Sequence, residues 1–152
     1  MADMGVIVAI VTVILLITSV LPAVLIGYGS RYSGEIYCGP NMMKAQGLAE
    51  TVGVSKWMII HGAIGLFEIT CLLMTFAMVA LKMLPLMVVS VSLVVLASLF
   101  RLSWLVVGAL ILWRDCPNMQ PKSVNDLMYA TLILGFFGIF ANLTSSRASQ
   151  KK

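Results

Sequence analysis

Two long apolar stretches, parted by a four-residue break, constrain this chain more than anything else in it. Trp57–Leu81 is 25 residues interrupted only by His61 and Glu68, and Leu86–Trp113 is 28 residues interrupted only by Arg101. Each exceeds the roughly 20 apolar residues that a helix needs to cross a ~30 Å hydrocarbon layer. Lys82, Met83, Leu84 and Pro85 form the break, so the two stretches read as a transmembrane helical hairpin. Folding it about the middle of the break sets Glu68 within two residues of level with Arg101. At 1.5 Å per residue that is an axial offset of roughly 3 Å. A charge at the centre of a membrane helix costs at least ~2.5–3.5 kcal/mol, so the two are expected to form a buried pair.

The composition agrees with that reading and excludes others. Hydrophobic residues make up 61% of the 152 and charged residues 11%, against about 25% charged in a soluble domain. The net charge of +4 is spread along the chain. No basic stripe of the kind that tracks a phosphate backbone is present, so nucleic acid is excluded as a partner. The length suits one domain, residues 1–152.

Between Asp3 and Arg31 lie 27 uncharged residues. They predict a retained first span, about 6–28. A secretory signal is disfavoured, because no basic segment precedes the apolar run and no small-x-small cleavage site follows it. Pro22 is expected to kink this helix, with Thr18 or Ser19 satisfying the carbonyl it frees. Residues 29–56 are polar and contain five glycines. Pro40 is a candidate start for a short helix running through Leu48 to Val52. Pro85 suits the first turn of the third span, about 86–113, where a missing N–H loses no helical bond. A second polar loop, 114–125, leads to the fourth span, about 127–145, and a basic tail, 146–152.

Small and polar residues recur along one side of each helix: Thr12, Ser19 and Ala23 in the first; His61, Gly65, Glu68 and Thr75 in the second. Ser90, Arg101 and Gly108 follow in the third, then Thr131, Gly135, Gly138 and Asn142 in the fourth. Lipid cannot drive apolar helices together, so membrane interfaces rely on small residues and interhelical hydrogen bonds. The expected fold is all-α: an integral membrane four-helix bundle, antiparallel and left-handed, with these stripes facing inward. Gly65, Gly108, Gly135 and Gly138 are the expected packing glycines.

Four spans place both loops on one side of the membrane and both termini on the other. Tyr28, Trp57, Trp113 and Tyr129 fall at the loop-side edge, as an aromatic belt would. Basic residues divide almost evenly between the two sides and do not orient the chain. Cys38 and Cys116 are the only loop cysteines, and they share a side. Their pairing in a disulfide requires an oxidising compartment, which puts the loops outside or lumenal and the termini in the cytosol, at the plasma membrane or in the secretory pathway. Cys71, inside the second helix, reads as a small buried residue. The glycosylation sequon at Asn142 falls on the cytosolic side and reads as accidental.

Recognisable catalytic chemistry is missing from the sequence. It has no phosphate-binding glycine loop, no Ser-His-Asp set and no paired Cys-x-x-Cys motifs, and a single histidine with dispersed ligands builds no zinc site. No cofactor or metal is expected. His61 lies one heptad above Glu68, and such a pair in a membrane either relays protons or is satisfied within the bundle.

The third helix carries FRLSWLVVGA from Phe100 to Ala109. With four short helices and one cysteine in each outer loop, this run resembles the transmembrane protein 272-like family. The family's Trp, apolar pair and Gly-x-x-x-aromatic run is met by Trp104, Gly108 and, with looser spacing, Trp113. Cys38 and Cys116 match its loop cysteines. The resemblance spans about Ile26 to Phe140. The family's Cys-Pro lies in the first outer loop, whereas here Cys116-Pro117 lies in the second. The claudin-like Trp…Gly-Leu-Trp…Cys…Cys signature does not occur in the first loop. The resemblance implies a topology and no activity.

The expected role is therefore non-enzymatic: a structural or accessory subunit of a membrane assembly, working with the lipid bilayer and with further copies of itself or a partner membrane protein. The alternative is an oligomeric channel or small transporter that uses His61, Glu68 and Arg101.

Overall fold

The computed structural model describes residues 2–34, 36–38 and 47–149, with side chains described for 10, 13–34, 36–38, 47–79 and 81–139. The chain is mostly helical. Four long helices, α1 (Ala2–Arg31), α3 (Val54–Ala80), α4 (Leu84–Leu110) and α5 (Lys122–Ser149), are joined by short elements. Between α1 and α3 come the two-residue strand β1 (Tyr37–Cys38) and the single turn α2 (Leu48–Thr51). α4 runs on into a π-helical turn, Ile111–Asp115, followed by β2 (Met119–Gln120). β1 and β2 pair antiparallel, Tyr37 opposite Gln120 and Cys38 opposite Met119. This ribbon is a small departure from an all-helical reading, made where two extended loops are drawn side by side. The expected helix start at Pro40 lies outside the described residues.

Three segments among the described residues are long and apolar enough to cross a membrane: Val13–Arg31, Val54–Val79 and Leu84–Asp115. The fourth expected span runs through α5, whose side chains are described only as far as Ile139. α5 is also longer than expected. It starts at Lys122, directly after Pro121, and continues through most of the segment read as a tail.

α3 is the central element, packed along α1 on one side and α4 on the other, while α5 meets the rest chiefly near the loop end. The best-filled core lies at that end, where Trp57, Met58, Ile111, Leu112, Cys116, Met119, Val124 and Met128 have at most 1% of their surface exposed. Farther from the loops, large apolar side chains turn outward along α1, α3 and α4, Leu16, Ile17, Leu84 and Leu96 among them. An apolar surface this extensive is foreign to soluble monomers and marks contact with lipid or another protein.

α3 and α4 are joined by Leu81, Lys82 and Met83 alone. Lys82 takes a left-handed conformation, φ 56°. Its N–H bonds to the Val79 carbonyl and that of Met83 to the Met78 carbonyl. These two bonds close the end of α3 as a Schellman motif, with lysine where glycine is usual. Pro85 occupies the first turn of α4, as its lack of an N–H favours.

The packing stripe of α1 differs from the expected one. Pro22, Leu25 and Gly29 are buried, whereas Ala23 is exposed and Ser19 only half-buried. A Cβ on Gly62 would come within 2.5 Å of the Pro22 carbonyl oxygen, and one on Gly29 within 2.7 Å of the Ser55 carbonyl oxygen. Backbone therefore meets backbone at two glycines that the search for polar periodicity passed over. The Thr18 and Ser19 hydroxyls donate to the Leu15 and Leu16 carbonyls, 3.0 and 2.7 Å, and not to the carbonyl that Pro22 frees. The side chains of Thr12 and Asn142 lie outside the described residues.

Candidate functional site

α4 folds back along α3, and the two share polar contacts at three levels. Nearest the loops, Trp57 Nε1 donates to the Trp104 carbonyl at 2.8 Å and Trp104 Nε1 donates to the Trp57 carbonyl at 3.2 Å. Each indole supplies its one donor to the other helix, so neither is buried unpaired. A Cβ on Gly108 would collide with the Trp57 ring, which is why that position takes the smallest residue. Trp57 is fully buried. It is thus a wedge between helices and not the lipid-facing belt residue its sequence position suggested. Trp113, 55% exposed, does lie on the outside.

At the middle level Arg101 Nη1 donates to Glu68 Oε2 at 2.6 Å. Glu68 is 11 residues beyond Trp57, roughly 16 Å along the helix, so the pair lies well inside α3 and α4. The Glu68 side chain is 10% exposed and that of Arg101 38%. At the third level the Thr75 and Ser90 hydroxyls lie 2.7 Å apart. Ser90 Oγ also donates to the Cys71 carbonyl at 3.0 Å. Cys71 itself is buried with a free thiol.

His61, expected to share in the network with Glu68 and Arg101, makes no hydrogen bond to either among the described residues. It is 2% exposed and stacks on Trp57 with ring centroids 4.9 Å apart. Neither of its nitrogens has a hydrogen-bond partner among the described residues, and the same holds for Glu68 Oε1. A heptad of helix rises ~10 Å, too far for imidazole and carboxylate to meet directly.

The packing glycines divide three to one. A Cβ on Gly65 would approach Pro22 Cγ at 2.9 Å and one on Gly135 would approach Leu105 Cδ1 at 2.6 Å, so these two sit at close helix crossings as Gly108 does. At Gly138 a Cβ would meet nothing within 4 Å among the described residues. Among the described residues α5 therefore touches α4 at Gly135 and leaves a gap beside Gly138. The gap is a cleft of about 300 Å³ lined by Glu68, Ser98, Arg101, Leu102, Leu105, Leu134, Gly135, Gly138 and Ile139. Sequence periodicity placed Gly138 on the inner side of α5 but carried no sign of the cleft beside it.

At the loop end Cys38 and Cys116 form a disulfide, with their Cα atoms 4.8 Å apart across 78 residues of chain. Asp115, next to it, accepts from the Leu48 N–H at 2.8 Å and from Arg114 Nε at 2.6 Å. The carboxylate thus caps the open end of α2, an element without a capping side chain of its own. No cluster of three or more metal-ligating side chains occurs among the described residues.

Comparison with protein families, curated proteins and solved structures finds no match to this chain.

Proposed function

We propose that this chain is a non-enzymatic membrane protein with four spans, α5 supplying the fourth, and that it serves as a structural or accessory subunit of a membrane assembly. Its helices form an antiparallel, left-handed bundle. The disulfide-linked loops face the exterior or a lumen and both termini face the cytosol, at the plasma membrane or along the secretory pathway. Kinship with the transmembrane protein 272-like family is part of this reading. Three sufficiently apolar segments and an oxidised cysteine pair support it.

The observation that carries the structural role is the layer above the ion pair. Trp57, Met58, Ile111, Leu112, Val124 and Met128 are fully buried at the loop end, and they separate the polar centre from the loops with apolar side chains. Below them, Glu68 and Arg101 engage each other across α3 and α4. Opposite charges paired beneath an apolar plug hold helices in register, whereas permeation requires a continuous wet path. The cleft beside Arg101 favours the second reading, a channel or small transporter assembled from several copies.

Reconstitution separates the two. Purified protein in liposomes is expected to raise neither proton nor monovalent-ion flux above that of protein-free vesicles, and reproducible flux that Glu68→Gln abolishes would replace the structural reading. A tag after Lys152 should resist protease in intact cells and be cut once they are permeabilised. Cleavage in intact cells, with the protein confirmed at the surface, would invert the topology.

A further inference from the structure

We propose that the cleft between α4 and α5 is a binding site for the hydroxyl end of an uncharged, lipid-like amphiphile. The proposal rests on the membrane reading above, since the bilayer is the source of the ligand.

The cleft holds about 300 Å³. A water molecule occupies ≈ 30 Å³ of liquid, so the space far exceeds one bridging water and reaches the lower end of the 300–1,000 Å³ range of ligand pockets. Its polar wall is composed of Glu68, Arg101 and Ser98, and its apolar wall of aliphatic side chains such as Leu105 and Leu134. Glu68 is 7% exposed as a residue and is fixed by its 2.6 Å bond to Arg101 Nη1. A guanidinium carries five N–H donors. Among the described residues Arg101 spends one of them, on Glu68, while 38% of its side chain remains open.

Charge selects the ligand. The carboxylate and guanidinium together are neutral, so an anionic headgroup would bring a net negative charge into a low-dielectric site, and a cationic one would meet Arg101. A hydroxyl both accepts and donates. It can take a hydrogen bond from the open guanidinium donors and give one to the carboxylate without changing the charge of the site. The hydrocarbon body then lies along the leucines, where burial is favourable by about 25 cal/mol per Å². Access comes from the side beside Gly138, which lines the cleft and where a Cβ would meet nothing within 4 Å among the described residues.

The test uses the full chain in nanodiscs, a photoreactive long-chain alcohol as probe, and peptide mapping of the cross-links. Labelling is expected on the α4 and α5 segments around Arg101, Leu105 and Leu134. The matching unlabelled alcohol should compete, and the alkyl sulfate and alkyl trimethylammonium of the same chain length should not. Gly138→Leu fills open space without touching the ion pair and should cut labelling roughly tenfold, equivalent to ~1.4 kcal/mol, with an unchanged helical circular-dichroism spectrum. Equal labelling of Gly138→Leu, equal competition by either charged amphiphile, or cross-links spread evenly over all lipid-facing segments would each overturn the proposal. Extraction of the protein from membranes by alkaline carbonate would instead defeat the membrane reading, so the two failures are distinguishable.

Discussion

Glu68 and Arg101 are the residues on which the centre of the molecule turns. Their 2.6 Å contact joins α3 to α4 where no other full charge on either helix is near. Removing one member of a buried pair leaves an unpaired charge and typically costs 3–5 kcal/mol, whereas replacing both with apolar residues is often neutral. Because Arg101 is partly open, the lower end applies. Glu68→Gln and Arg101→Leu are each expected to lower stability by ~3 kcal/mol, and Glu68→Leu with Arg101→Leu to recover most of that loss. Melting midpoints in detergent would show it, and single variants that melt like the parent would mean that the contact contributes nothing. A charge deep in an apolar run, with an opposite charge at the matching hairpin level, is a strong one-dimensional signal, and the sequence suffices to pair these two. His61 carries no such signal. Its spacing from Glu68 suggests partnership, but its stacking on Trp57 depends on how far the indole penetrates between helices, and that is set by the absence of a side chain at Gly108.

Among the elements, the α3–α4 hairpin was the most legible, because an uninterrupted apolar run, a short break and a proline each have a direct physical consequence. The turn within it was not. Lys82 sits at φ 56° in the C′ position of a Schellman motif, a conformation that costs a residue with a Cβ roughly 1–2 kcal/mol. Lys82→Gly is accordingly expected to stabilise the hairpin by up to ~1 kcal/mol, the gain being offset in part by glycine's freedom in the unfolded chain. A lower melting midpoint for Lys82→Gly would show that the lysine side chain has a role of its own. The α1 interface is the least legible in the sequence. A search for small polar residues picks out Ser19 and Ala23, yet the helix packs through Pro22, Leu25 and Gly29. A proline signals a kink in one dimension, whereas its other consequence, a surface that the glycines of α3 approach closely, appears only in the packing.

For the molecule as a whole, the disulfide and the Asp115 contacts tie the two loops together just above the best-filled core. Loop closure of this length is typically worth 2–4 kcal/mol. Cys38→Ser with Cys116→Ser should lower the melting midpoint accordingly, and non-reduced mass analysis of the parent should show both thiols oxidised. Two free thiols in protein taken directly from cells would remove the argument for an oxidising compartment. The proposed sidedness rests on these cysteines alone, because basic residues divide almost evenly between the ends and Trp57, at the edge where a belt would lie, is interior. Under the proposed membrane topology, the brevity of the α3–α4 link has a further consequence for biogenesis. A nascent α3 entering the bilayer alone would carry a lone carboxylate, at ~2.5–3.5 kcal/mol or more for a charge at the centre. Its counter-charge emerges from the ribosome only 33 residues later. With three residues between the helices, the proposed topology lets the two segments partition together as one neutral unit, each charge entering the bilayer beside its partner.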